Sequence, residues 1–146
     1  MKNPVVQNVL AIAIYIATCT GCALFSKTAP LEEKLADVRA LTYAAAALGT
    51  QEALLQNAGW RPQFQTAYDN LNRLVTSGTV SGTLLREVLA SLPVKELKSD
   101  RARIAIETAT ILYDATVGTK VNIEAAPYVN AAATGIRDGL RSGLGL

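Results

Sequence analysis

An all-α fold, a compact bundle of about four to six helices behind an apolar N-terminal segment, is what the sequence predicts. Three observations carry that expectation. Apolar residues after Pro30 recur three and four apart and do not alternate. The run Ala44–Ala47 has high helix propensity. Pro30, Gly78, Pro93 and Gly118 stand at the ends of the periodic stretches, where breakers belong. Half of the 146 residues are apolar and 18% are charged, which excludes a disordered chain.

Taken in order, the first helix opens at Pro30, whose missing N–H costs nothing in a first turn. Glu32 and Glu33 follow at the positive end of the helix dipole. Leu31, Leu35, Val38, Ala45 and Leu48 share one face, Gly49-Thr50 is expected to kink or split the helix, and Gly59 is a candidate C′ residue. Arg61-Pro62 opens a second helix with the stripe Phe64, Ala67, Tyr68, Leu71, Leu74 and Val75, which Gly78 ends. A loop leads to Thr83, and a short helix carries Leu84, Leu85, Val88, Leu89 and Leu92 up to Pro93. After the charged run 95–103, Ile104–Val117 is apolar almost all round. A strand is open on composition, but its length favours a central helix. The last helix is expected to start near Pro127, with Val129, Ala132, Ala133, Ile136, Leu140 and Leu144 on its apolar side.

Beside that side runs a row of small residues, Ala131, Gly135, Gly139 and Gly143. Small residues four apart let another backbone approach closely. The row therefore reads as packing inside the bundle or a frayed end, as a seam for a binding partner, or as membrane contact. Trp60, in Gly59-Trp60-Arg61-Pro62, is either a plug of the core or an anchor for a partner.

The N-terminus has its own layout. Lys2 is followed by no charge until Lys27, and Val9–Thr18 is a short apolar core. A basic start, an apolar stretch and then small residues is the plan of a secretory signal peptide, and an uncleaved inner-membrane signal anchor is the alternative. The segment Cys19-Thr20-Gly21-Cys22 resembles the lipobox of bacterial lipoproteins, although Cys19 stands where an aliphatic residue is usual. The resemblance covers residues 1–22 only. It implies cleavage after Gly21 and covalent lipid on Cys22, whose acyl chains would anchor the protein at about 0.8 kcal/mol per buried CH₂. It also implies an outer-membrane address facing the periplasm, because Ala23 replaces the Asp that favours inner-membrane retention. The chain then divides into a signal peptide (1–21), a lipidated Cys with its tether (22–29) and a helical domain (30–146). Loss of Cys19 and acylation of Cys22 would leave no free thiol and no disulfide.

The remaining chemistry is sparse. No His is present, so a nucleophile–base pair lacks its usual base. Ser99 beside Lys95 and Lys98 reads as a helix cap. Glu107 and Asp114, two turns apart on the apolar helix, are the one carboxylate pair that could face a cleft. No phosphate-binding glycine loop or calcium loop occurs. A net charge of +2, from 14 basic and 12 acidic residues, gives no footprint for nucleic acid. The cluster Lys95, Lys98, Arg101 and Arg103 reads as a solvated helix start or a dock for an anionic surface.

The expected function is that of a small lipid-anchored envelope protein with no catalysis, no cofactor beyond its lipid, and an envelope protein as partner. An exclusion or immunity lipoprotein of the kind phages and plasmids encode, or a small-ligand carrier, are the alternatives.

Overall fold

The computed structural model describes residues 28–93 and 122–146. The signal segment, Gly21 and Cys22, the charged run 95–103 and the expected central helix Ile104–Val117, with Glu107 and Asp114, lie outside the described residues. Among the described residues the fold is all-α. Four helices are present, α1 (Leu31–Gln56), α2 (Arg61–Ser77), α3 (Gly82–Ala90) and α4 (Asn122–Leu144), with no strand.

The α1 helix runs 26 residues, about 39 Å, without the break expected at Gly49-Thr50. The physical reason is tertiary. Both residues are buried, and the Thr50 hydroxyl donates to the Ala46 carbonyl at 2.7 Å, so neither competes with the helix. Glu32 and Glu33 are exposed in the first turn, as the dipole argument requires. Leu31, expected on the inner face, is 50% exposed, so the buried stripe effectively begins one turn later.

Gly59 is not the C′ residue of α1. Asn57 ends the helix in an extended conformation, and its side-chain oxygen accepts from the Gly59 N–H at 2.9 Å. This opens a single 3₁₀ turn, Ala58–Trp60, that leads directly into α2. Gly78 does end α2. It takes φ +68°, its N–H reaches the Val75 carbonyl, and Thr79 N–H reaches that of Leu74, which is the paired closure of a Schellman cap. Ser81 caps α3 through Leu84 N–H at 3.2 Å, so the helix starts one residue before Thr83.

The α4 helix starts at Asn122, more than a turn before the expected Pro127, which lies inside it. Pro127 offers no N–H to the carbonyl four residues back, so the helix runs through it one bond short. The core is one cluster. Phe64, Ala67 and Leu71 of α2, Leu85 and Val88 of α3, and the buried Leu92 after it meet Val129, Ala132, Ala133, Ile136, Leu140 and Leu144 of α4. Val38 and Ala53 close it from α1. Every residue predicted for the apolar side of α4 is buried.

Candidate functional site

The most extensive helix–helix contact in the described structure joins α1 and α4, the first and last of the described helices. Their order of contact shows that they run parallel. Gly135 faces Arg39 and Thr42, Gly139 faces Tyr43, Ala46 and Ala47, and Gly143 faces Ala47 and Thr50. Each step along α4 is matched by a four-residue step along α1.

A Cβ at any of the three glycines would collide with α1. At Gly135 it would fall on the Arg39 carbonyl and the Thr42 hydroxyl. At Gly139 it would fall on the Tyr43 carbonyl and sit 2.7 Å from Ala46 Cβ and 3.0 Å from Ala47 N. At Gly143 it would meet Thr50 Cβ at 2.5 Å and the Ala47 carbonyl at 3.0 Å. The glycines are there because backbone meets backbone. Gly135 and Gly139 are buried and Gly143 half-buried, so α1 of the same chain covers the face read as a candidate partner seam.

The matching face of α1 consists of Thr42, Ala46 and Thr50, small residues also four apart. Thr42 Oγ1 donates to the Val38 carbonyl at 2.7 Å, as Thr50 does to Ala46. Both hydroxyls are satisfied within α1, and α4 therefore meets a face with no orphaned donor. Sequence alone does not reveal this face, because the alanine run reads as helix propensity. The signal that could have found it is the second four-residue spacing of small residues, Thr42-Ala46-Thr50.

Beside the seam, towards the N-terminal halves of both helices, lies an open groove of about 720 Å³. Leu35, Ala36, Ala40 and Tyr43 form one wall, with Pro127 and Ala131 on the other. Tyr43 serves both features, since its carbonyl faces Gly139 while the residue, 41% exposed, lines the groove. Ala131, read as part of the small-residue row, thus belongs to the groove as well.

Arg39 and Asp138 close the groove across the two helices, Nη2 to Oδ2 at 2.8 Å. Arg137 binds the other oxygen of Asp138 through Nε and Nη2, at 2.9 and 2.6 Å. Desolvation pushes the Asp138 carboxyl up, but the hydrogen bonds and charges of Arg137 and Arg39 outweigh it. The group is held below the ordinary aspartate value of 3.8.

Asp37 is the contrasting carboxylate. It is buried on α1, its Oδ2 has no hydrogen-bond partner, and burial followed by the charge of Glu33 raises its pKa.

Trp60 is partly buried and packs against the core at the start of α2. Its neighbour Arg61 reaches back to the end of α4 and donates from Nη2 to the Leu144 carbonyl at 2.5 Å, which satisfies an acceptor the helix leaves open. The Arg61 bond thus places Trp60 near the C-terminal end of α4, the end that carries Gly143, and away from the groove.

No described group of three or more His, Cys, Asp or Glu could hold a metal ion. No helix among the described residues is long and apolar enough to cross a membrane. No protein-family model, curated protein or solved structure shows significant similarity to the chain.

Proposed function

We propose that the protein is a small lipid-anchored envelope protein that acts as a non-catalytic binding or scaffolding module for another envelope protein. The observation that carries this reading is the lipobox-like Gly21-Cys22 after the apolar core Val9–Thr18. Signal cleavage after Gly21 leaves Cys22 as the acylated N-terminus, facing the periplasm from the outer membrane. In this reading residues 30–146 form one helical domain, a compact bundle of about four to six helices.

The described geometry is compatible with such a role. From Cys22 to the first residue of α1 a fully extended chain spans at most about 30 Å. Because α1 and α4 are parallel, the groove lies at the end of the pair nearer that tether. An open groove covers only one side of whatever lies in it. That favours contact with a surface or segment of another protein over enclosure of a small ligand. Tethering would confine the groove to two dimensions and raise its effective concentration for membrane-bound partners.

The test is the intact mass of the protein extracted from the bacterial membrane fraction, beside a Cys22→Ser variant. The expected result is residues 22–146 plus acyl chains, lost in the variant. The full uncut chain in the membrane would replace the lipoprotein with a signal anchor. An unmodified chain in the cytoplasm would overturn the proposal.

A further inference from the structure

We draw no further inference here: the strongest candidate, the open groove between the N-terminal halves of α1 and α4 beside the Arg39–Asp138 pair, belongs to the site already described, and nothing in the structure shows what covers it.

Discussion

Gly139→Ala puts the α1–α4 seam to a test in which two effects oppose each other. In an isolated helix the substitution gains about 1 kcal/mol, because Ala is the better helix former. In this structure the new methyl would fall on the Tyr43 carbonyl, with Ala46 Cβ at 2.7 Å and Ala47 N at 3.0 Å. Two of those three atoms are backbone of a long helix and cannot swing aside. Overpacking a core costs about 1–3 kcal/mol, and a rigid neighbour places this site at the upper end, about 3 kcal/mol. The net effect is then a loss of about 2 kcal/mol. For a domain of this size that lowers Tm by roughly 8 °C. The assay is thermal and chemical unfolding of wild type and variant, followed by far-ultraviolet circular dichroism. Ser142→Ala, exposed on the same helix, is the control and should be neutral or slightly stabilising. A Gly139→Ala protein as stable as wild type, or more so, would refute the close approach of the two backbones.

Asp37→Asn should stabilise the protein at neutral pH. The raised pKa means that wild type loses stability as pH climbs from the ordinary value of 3.8 towards the folded value, and the variant should not; unfolding midpoints that match at neutral pH would contradict the burial of an uncompensated charge. Asp138→Asn should act in the opposite sense. Its lowered pKa contributes stability above 3.8 that is lost as pH falls through the folded value. With Arg39 56% exposed, the loss in the variant should be only about 0.2–1 kcal/mol and should shrink with added salt, as urea titrations at two ionic strengths would show. Phe64→Ala should cost about 3–5 kcal/mol, since the ring is 1% exposed within the common core, and a loss below 1 kcal/mol in the same titration would remove α2 from that core.

Much of the packing was legible because it depends on local periodicity. The stripe Phe64, Ala67 and Leu71 and the whole apolar side of α4 follow from spacing alone, and Gly78 follows from the need for a left-handed residue at a helix end. The departures have tertiary causes. Gly49-Thr50 looks like a break when only propensity is weighed, but its burial on α1, with Thr50 against Gly143, holds the helix together. Pro127 looks like a start, yet its ring lines the groove from within α4. Gly59 looks like a cap, yet Asn57 bonds to it and turns the chain one residue too early for that role. The glycine row was legible as a close-packing surface, but its partner was not. Spacing specifies what a face can accept, while only the fold brings Arg39 to Asp138 across 99 positions of sequence.

That separation governs the order of events when the chain is made. Among the described helices the first to be made, α1, finds its main partner in the last, α4, so the contact between Arg39 and Asp138 waits for 99 further positions of chain. At about 5–20 residues per second the delay is roughly 5–20 s. Until then the Thr42–Ala46–Thr50 face lacks α4, the helix that packs on it among the described residues. Long-range pairing of this kind makes folding slow and nearly all-or-none, because closing the loop costs entropy before any contact offsets it. The arrival of Gly139, Leu140, Gly143 and Leu144 is therefore the step that completes the α1–α4 seam.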